Sequence, residues 1–258
     1  MRIKKRDPKS HKGQNGVITA IVGSELYPGA AFLSCTAALR SGCDLVYVLT
    51  PAPCAGILQH LCPELIVIKL PGAHFMPSHK KAMEKWIAKA DVLLIGPGTG
   101  KEGSTKQLIK SIVLLAKPKV IDADPLRYIN PSRMHDAVLT PHQDEALSLQ
   151  NTARCSLMQL AKKGKNIVIL EKGRIDRIHT KTATFQNRAG SAAMTKGGTG
   201  DILAGLVAGF IAQGNELAVS ARAAAWYNGK AGELLTKRRG NAFLTREILD
   251  ILPEVMLQ

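Results

Sequence analysis

The sequence predicts a three-layer α/β domain in which helices cover both faces of a mostly parallel central sheet. Short apolar runs alternate with longer segments of helical pattern, as they do in strand–helix–strand units. These runs are continuously apolar, which is typical of strands that are buried on both faces. Because no repeat or long linker interrupts the alternation, we expect a single domain over residues 1–258.

Five strands and four helices are predicted in the first half of the chain. Aliphatic and β-branched residues dominate the strands, whereas the first helix is rich in alanine and ends at Gly42. The predicted strands are residues 17–23, 44–49, 65–70, 91–95 and 119–121. The predicted helices are residues 29–41, 55–61, 80–89 and 104–116.

The second half contains three further predicted strands and then a largely helical region. The strands are short apolar runs, and Gly173 provides a turn between the last two. They are predicted at residues 137–139, 167–170 and 176–179. Helical periodicity then predicts helices at residues 201–213, 217–235 and 244–257.

The composition limits the classes of function. The chain carries a formal charge of +15, from 35 lysines and arginines against 20 acidic residues. Such a charge attracts anions, but aromatic residues make up only 4% of the chain, which leaves few rings on which bases can stack. We therefore expect an anionic small-molecule substrate rather than a nucleic acid.

The sequence also indicates the cellular setting. No apolar run reaches the ~18 residues of a transmembrane helix, and the basic N-terminal segment lacks the apolar core of a secretion signal. The five cysteines form no C-x-x-C pair, which is typical of a reducing compartment and gives no zinc motif. We expect a cytoplasmic protein with no membrane partner.

A glycine-rich loop, K-G-G-T-G-D at residues 196–201, is the most informative segment. It precedes a strongly apolar predicted helix. Glycines let backbone N–H groups approach a ligand, and the start of a helix attracts anions. The loop therefore predicts a phosphate site with the Asp201 carboxylate directed into it, as phosphoryl transfer requires. A plain turn into a buried helix is the alternative that the loop alone leaves open.

Two loops at predicted strand ends carry further candidate residues. The segment 96–100 is G-P-G-T-G, whose N–H groups suit an anion, with an ordinary strand–helix turn as the alternative. Asp122 and Asp124 follow the next strand, where buried carboxylates bind metals or hydrogen-bond donors. Capping of a helix that starts at Pro125 is the alternative for this pair.

A third loop, T-P-H-Q-D-E at residues 140–145, also follows a predicted strand. His142 and Glu145 share one face if a helix begins here, and Glu145 then suits Mg²⁺ held through water. The alternative is that Glu145 only complements the helix dipole. Lys172 ends a later strand, where it either meets a nucleotide phosphate or lies at a turn on the surface.

These loops occur together with two further segments in a fixed order. The segments are S-E-L-Y-P-G-A at 24–30, A-A-L-R-S-G at 37–42, G-P-G-T-G at 96–100, D-A-D at 122–124, T-P-H-Q-D-E at 140–145 and G-G-T-G-D at 197–201. Together they resemble the motifs of the ADP- or ATP-dependent NAD(P)H-hydrate dehydratases, which have a ribokinase-like fold. The resemblance extends from about residue 12 to residue 232, and the number and order of the motifs make it specific.

The resemblance implies a repair reaction on hydrated NADH and NADPH, called (S)-NADHX and (S)-NADPHX. Enzymes of this family phosphorylate the ring hydroxyl from ADP or ATP with Mg²⁺ and then eliminate phosphate, which is a better leaving group than hydroxide. It also implies a homo-oligomer. Some members carry a fused epimerase domain, which we do not expect here because the dehydratase-like pattern already begins at Val17.

The resemblance further implies a role for each matching residue. Asp201 takes or orients the proton of the substrate hydroxyl, and its place at a helix start is expected to keep it ionised. The phosphate is held by Gly197, Gly198, Thr199 and Gly200. The hydrated cofactor contacts Ala30, Gly98, His142 and Asp201. The nucleotide contacts Lys172, Gly173, Arg174, Ile175, Asp176 and Gly200.

Four residues depart from the family pattern and leave the choice of nucleotide open, although ADP is the expected donor. They are Val22, Asp144, Glu171 and Ser191. Two other functions also stay open at this point. One is a small-molecule kinase of the same fold that acts on a vitamin-precursor alcohol, and the other is a non-enzymatic, basic binding protein.

Overall fold

A nine-stranded sheet forms the centre of the structure, a computed structural model that describes residues 3–257. The outermost residues of the predicted domain, 1, 2 and 258, therefore lie outside the described range. The strands are β1 Val17–Ile21, β2 Leu45–Pro51, β3 Ile66–Leu70, β4 Val92–Ile95, β5 Lys119–Ile121, β6 His135–Leu139, β7 Lys165–Glu171, β8 Asp176–His179 and β9 Thr184–Asn187.

The strand order in the sheet is β3-β2-β1-β4-β5-β6-β7-β8-β9. Strands β1 to β7 run parallel to their neighbours, and β8 and β9 add an antiparallel edge. Consecutive parallel strands require crossover connections, which the helices provide. The mostly parallel sheet that the sequence predicted is therefore confirmed.

The helices lie in two layers, one on each face of the sheet. They are α1 Pro28–Arg40, α2 Ala52–Leu61, α3 Lys80–Lys89, α4 Gly103–Ile112, α5 Gln143–Ala153, α6 Leu157–Lys163, α7 Thr199–Ala212, α8 Leu217–Arg239 and α9 Glu247–Met256. Helices α1, α2, α7, α8 and α9 contribute to one apolar cluster, and α3 to α6 contribute to the other. Neighbouring strand residues alternate between the two: Leu94 joins the first cluster and Leu93 the second. This alternation explains why the strands are apolar throughout.

Helix α7 occupies the centre of its layer because small residues let α1 approach closely. Gly205 packs directly against the carbonyl oxygen of Ser34, and Gly209 packs against Ser41. A larger side chain at either glycine would overlap α1. All residues of α7 from Ile202 to Ala212 are buried, so the packing fixes the N-terminal end of this helix against the sheet.

Two α-helices and one strand were not predicted from the sequence, and two predicted helices are shorter in the structure: α4, and α9, which spans Glu247–Met256 rather than residues 244–257. The unpredicted elements are α5, α6 and the edge strand β9. Helix α4 ends at Ile112 rather than at residue 116. The residues that follow it form turns, with Leu115 N–H donating to the Ile112 carbonyl, and Pro118 disfavours helical conformation in the residue before it.

A lysine is fully buried in the sheet, at the edge opposite the predicted site. Lys119 is the first residue of β5, and its Nζ donates to the carbonyl oxygen of His135 at 2.8 Å. Burial lowers the pKa of Lys119 to about 8, although the carboxylate of Asp136 acts in the opposite direction. The folded protein therefore holds this proton less tightly than the unfolded chain does.

We predict that Lys119 makes the folded state more stable as the pH rises above about 8. Between the folded pKa and the ordinary lysine value of about 10.4, the unfolded chain binds more protons, so stability increases with pH. Urea unfolding at pH 7 and at pH 9.5 measures this, with Lys119→Met compared with wild type and with Lys81→Met on the exposed face of α3. The free energy of unfolding is expected to increase from pH 7 to pH 9.5 in wild type and in Lys81→Met, and to increase less in Lys119→Met. Identical pH dependence in all three proteins would contradict the prediction.

Candidate active site

The polar residues predicted from three strand ends meet at the carboxyl edge of the sheet. Asp122 follows β5, Thr140 follows β6 and Lys172 follows β7, and these strands are neighbours in the sheet. The side chains therefore lie side by side although they are far apart in the sequence. Ligands bind at this edge in open α/β sheets.

Asp122 and Lys172 form an ion pair within this group. Lys172 Nζ donates to Asp122 Oδ1 at 2.7 Å, and the hydroxyl of Thr140 donates to the same oxygen at 2.7 Å. Asp122 is only 2% exposed, so its charge depends on these donors. The alternative that Asp122 mainly caps a helix does not account for this pair.

Glu145 and His142 lie at the start of α5, a helix that the sequence left open. Glu145 Oε2 accepts a hydrogen bond from the backbone N–H of His142 at 2.9 Å, and His142 Nδ1 accepts one from the N–H of Asp144 at 3.1 Å. This reciprocal arrangement is a capping box. Burial raises the pKa of Glu145, opposed by the charge of Lys172. Glu145 is thus held in place at the edge of the polar group.

Asp201 lies in the first turn of α7, behind the glycine-rich loop. Gly198, the residue before the helix, has φ of +94°, which glycine adopts without strain. Burial raises the pKa of Asp201 to about 7, and the negative charge of Asp122 adds to this effect. Asp201 is therefore only partly ionised at neutral pH, because desolvation and nearby carboxylates oppose the helix dipole that was expected to keep it ionised.

Lys172 also lies against the glycine-rich loop. A Cβ placed on Gly200 would be 3.2 Å from Lys172 Nζ, so the ammonium is packed next to the first turn of α7. Burial lowers the pKa of Lys172, but the carboxylates of Asp122 and Glu145 outweigh that effect and raise it above its ordinary value. Lys172 therefore carries its charge at neutral pH.

A cleft of about 860 Å³ opens beside the ammonium of Lys172. It lies between β7, the loop before α7, and helices α7 and α8. Every residue predicted to contact the nucleotide lines it. Of the predicted phosphate loop, Thr199 and Gly200 line the cleft and Gly197 and Gly198 do not. The lining residues are Lys172, Gly173, Arg174, Ile175, Asp176, Arg188, Ala189, Gly190, Ser191, Ala192, Met194, Thr195, Thr199, Gly200, Leu203, Ala225, Asn228 and Gly229.

The β7–β8 turn that forms one wall of the cleft is held by Asp176. Its Oδ1 accepts from the N–H of Gly173 at 3.1 Å, and its Oδ2 accepts from the Asn187 amide at 3.0 Å. The Asn187 amide also donates to the carbonyl oxygen of Ala225 in α8 at 3.1 Å. Burial raises the pKa of Asp176. These bonds link the turn to the far side of the cleft.

The residues predicted to bind the hydrated cofactor lie in three places around the same edge. Asp201, at the start of α7, is one of them. Gly98 and Ala30 are in contact, since a Cβ on Gly98 would lie 3.0 Å from that of Ala30. His142 is farther along the edge, with Nε2 3.2 Å from Glu145 Oε1. The loops after β1 and β4 are joined by the N–H of Gly23, which donates to the carbonyl oxygen of Pro97 at 2.8 Å.

The four residues that depart from the family pattern have well-defined surroundings in the structure. Val22 is fully buried, and Asp144 is exposed at the start of α5. Glu171 Oε2 is paired with His179 Nε2 at 3.2 Å on the neighbouring strand. The hydroxyl of Ser191 is 2.6 Å from that of Thr236 in α8, which ties the loop before α7 to that helix.

Two parts of the cleft were not anticipated from the sequence. Residues 188–195 were assigned to no element, although they form a wall. Asn228 lies within a helix that was predicted, but no local pattern marked its side chain. Its Nδ2 donates to the Thr199 carbonyl at 3.4 Å, whereas its buried Oδ1 has no partner among the described residues. An orphaned acceptor in a cleft is a signal that only the structure provides.

Within residues 3–257, no helix combines the length and the apolar character needed to cross a membrane. In the same part of the chain, no three His, Cys, Asp or Glu side chains are grouped so that they would hold a metal ion. Both carboxylate oxygens of Glu145 face His142.

Comparison with known proteins places this site in a family. The family model for NAD(P)H-hydrate dehydratase matches residues 18–254. The bifunctional NAD(P)H-hydrate repair enzyme Nnr of Methanothermobacter thermautotrophicus is 39% identical, over 99% of this chain and 52% of that protein. The chain thus spans about half the length of the first curated relatives it matches. The ADP-dependent (S)-NAD(P)H-hydrate dehydratase of Nitrosopumilus maritimus is 34% identical, over 98% of this chain and 91% of that protein.

A solved structure shows the same relationship. The ADP/ATP-dependent NAD(P)H-hydrate dehydratase from Bacillus subtilis, co-crystallized with ATP and Mg²⁺, superposes with a TM-score of 0.79 at 25% identity. The match covers 98% of this chain and 93% of that one. Because the family model matches most of the chain and the fold agrees throughout, this chain belongs to the NAD(P)H-hydrate dehydratase family.

Proposed function

We propose that this protein dehydrates (S)-NADHX and (S)-NADPHX to NADH and NADPH at the expense of ADP or ATP. The observation that carries the proposal is the position of Asp201, which directly follows Gly200 in the lining of a nucleotide-sized cleft, in a chain of this family. Relatives named ADP-dependent (S)-NAD(P)H-hydrate dehydratase cover nearly the whole chain, which favours ADP.

Asp201 has the properties of the group that accepts the proton of the substrate hydroxyl. Its pKa of about 7 lies near the working pH, where a general base is most effective. As the proton moves to Asp201, the substrate oxygen bonds to the terminal phosphorus and the bond to the bridging oxygen of the nucleotide breaks. The phosphorylated ring then loses phosphate and one ring proton, and Asp201 releases the hydroxyl proton to solvent. The net result is NADH, inorganic phosphate, AMP and one proton when ADP is the donor.

The backbone at the start of α7 supplies the complementary positive charge. The first N–H groups of a helix have no partner inside it and are available to an anion. Thr199 and Gly200 present this helix start to the cleft. We propose that they hold the phosphoryl group during transfer, with Gly197 and Gly198 shaping the loop from behind. Preorganised donors of this kind lower the barrier because they need no rearrangement.

Mg²⁺ is proposed as the metal that accompanies the nucleotide. It neutralises phosphate charge when it is bound, and it usually retains several waters and few protein carboxylates. The arrangement of Glu145 fits such an indirect contact. A homo-oligomer and a cytoplasmic location remain further proposals, which rest on the resemblance and on the composition.

We predict that the purified protein restores the absorbance of reduced nicotinamide when it is mixed with hydrated NADH, Mg²⁺ and ADP. Asp201→Asn removes the proton acceptor and is expected to lower the rate by about a thousandfold or more. Asp250→Asn changes an exposed aspartate on α9 and serves as the matched control with unchanged rate.

Parallel reactions with ATP identify the preferred donor. Nucleotide binding without any recovery of NADH would contradict the proposal and favour a kinase for another alcohol. Full activity in Asp201→Asn would remove Asp201 from its role.

We also predict that kcat/KM falls as the pH drops below about 7. The proton acceptor must be ionised, and Asp122, Glu145 and Lys172 are the charged groups that act on Asp201. Rates measured between pH 6 and pH 9 with saturating Mg²⁺ test this, with protein stability checked at each pH. A profile that is flat from pH 6 to pH 8 would contradict the raised pKa.

A third prediction concerns stability. A carboxyl group whose pKa is raised from 3.8 in the unfolded chain to about 7 destabilises the fold once it ionises. Asp201→Asn should therefore raise the free energy of unfolding by roughly 1–3 kcal/mol at pH 8, as is common for active-site carboxylates, and by less at pH 5. Urea unfolding at both pH values measures the difference. If Asp201→Asn were less stable than wild type at pH 8, the predicted cost of ionising Asp201 in the folded state would be refuted.

A further inference from the structure

The ammonium of Lys172 has more hydrogen-bonding capacity than its described partners use. A lysine ammonium carries three donors. Among residues 3–257, Asp122 Oδ1 is the acceptor found for it. The side chain is 19% exposed and lines the cleft, so the exposed part faces the space that the nucleotide would fill. Donors are therefore left over for a ligand.

These donors are directed toward the start of α7. The ammonium lies against Gly200, as the 3.2 Å separation from a Cβ at that position shows. The charge of Lys172 also acts on Asp201 and on Glu145. Lys172 thus lies beside the helix start, which attracts phosphate, and its charge acts on the carboxylate proposed to accept the proton.

Asp122 fixes the ammonium at this point. Its carboxylate is nearly inaccessible, and the Thr140 hydroxyl holds the oxygen that Lys172 contacts. The next residue, Ala123, has φ of +61°, a strained conformation for an alanine. Gly96 packs directly against the Asp122 carbonyl oxygen. The backbone around Asp122 is therefore tightly constrained, and the carboxylate has a fixed position.

We propose that Lys172 contacts the terminal phosphoryl group while it is transferred, and that Asp122 and Thr140 are positioning residues that hold its ammonium there. This inference rests on the proposed function, since it assigns a catalytic contact within that same site. It goes beyond a role for Lys172 as one wall of the nucleotide cleft. Asp122 then acts through Lys172 and touches no substrate.

The chemistry of the transfer explains the need for such a cation. Negative charge spreads over the three equatorial oxygens of the phosphoryl group as the bond to the bridging oxygen breaks. A fixed ammonium stabilises that charge more than it stabilises the bound nucleotide. Lys172 forms no bond to phosphorus and transfers no proton, because Asp201 accepts the hydroxyl proton. The atoms and charges of the reaction are unchanged by its presence.

A comparison of ADP binding with AMP binding distinguishes a contact of Lys172 with the terminal phosphoryl group from a contact with the nucleotide in general. The terminal phosphoryl of ADP is the group to be transferred, and AMP lacks it. Calorimetry with Mg²⁺ is therefore expected to show that Lys172→Gln weakens ADP binding by about 10-fold or more and AMP binding by less than about 3-fold. Lys181→Gln, which removes an exposed lysine from the β8–β9 turn, is the matched control and should change neither.

Kinetics tests the positioning residues. Asp122→Asn should lower kcat by about 10- to 100-fold with little change in KM for the nucleotide, because it frees the ammonium without removing it. Lys172→Arg should recover part of the kcat that Lys172→Gln loses. Glutamine can still donate to Asp122, which limits the cost of the substitution to folding, and thermal unfolding of each variant verifies this.

Two outcomes would overturn the inference. Equal weakening of ADP and AMP in Lys172→Gln would make Lys172 an ordinary wall residue. An unchanged kcat in Asp122→Asn would remove the positioning role.

The binding experiment needs no hydrated cofactor. A wild-type protein that fails to restore NADH but still distinguishes ADP from AMP through Lys172 would contradict the proposed function and leave the phosphoryl contact supported.

Discussion

The constraint on which the site depends is a deficit of positive charge at the carboxyl edge of the sheet. Asp122, Glu145 and Asp201 influence one another there, and Lys172 is the cation that acts on all of them. Burial of Asp201, followed by the negative charge of Asp122, raises its pKa to about 7, and Lys172, which Asp122 holds directly, opposes this only in part. The raised pKa turns an ordinary carboxylate into a base suited to neutral pH. Any anion or cation that enters the cleft changes this balance.

The fold supplies this arrangement through two independent parts. Three neighbouring parallel strands bring Asp122, Thr140 and Lys172 to one edge, although up to 50 residues separate them in the chain. Helix α7 brings Asp201 from the opposite direction, and close packing against α1 holds its start in place. A rigid scaffold is what allows a buried carboxylate and an ammonium to remain a fixed distance apart. The cost in stability is concentrated at Asp201 and at the strained backbone of Ala123.

Much of the fold could be predicted from the sequence because buried parallel strands are continuously apolar. Strand β5 at 119–121 and helix α3 at 80–89 have the predicted bounds. Helix α5 was missed because its polar residues show little periodicity and its start depends on the capping box of His142 and Glu145. Strand β9 was missed because its exposed edge residues alternate with few apolar ones.

The candidate site was predictable in its parts but not in its electrostatics. The glycine-rich loop located Asp201, and the strand ends located Asp122 and Lys172 as separate candidates. Their ion pair depends on strand order, which local patterns do not specify. The raised pKa of Asp201 depends on how much water the fold excludes, which a position at a helix start does not specify. Asn228 is marked only by an acceptor that the folded chain leaves without a partner.

The most direct test of this account is the pKa of Asp201 itself, measured by carbon-13 NMR on protein labelled at aspartate carboxyls. The Asp201 resonance is assigned by its absence in Asp201→Asn. The account predicts a midpoint near 7 in the free protein. A midpoint near the ordinary value of about 4 would contradict it, because Asp201 would then be fully compensated and the charge deficit on which the site is built would not exist.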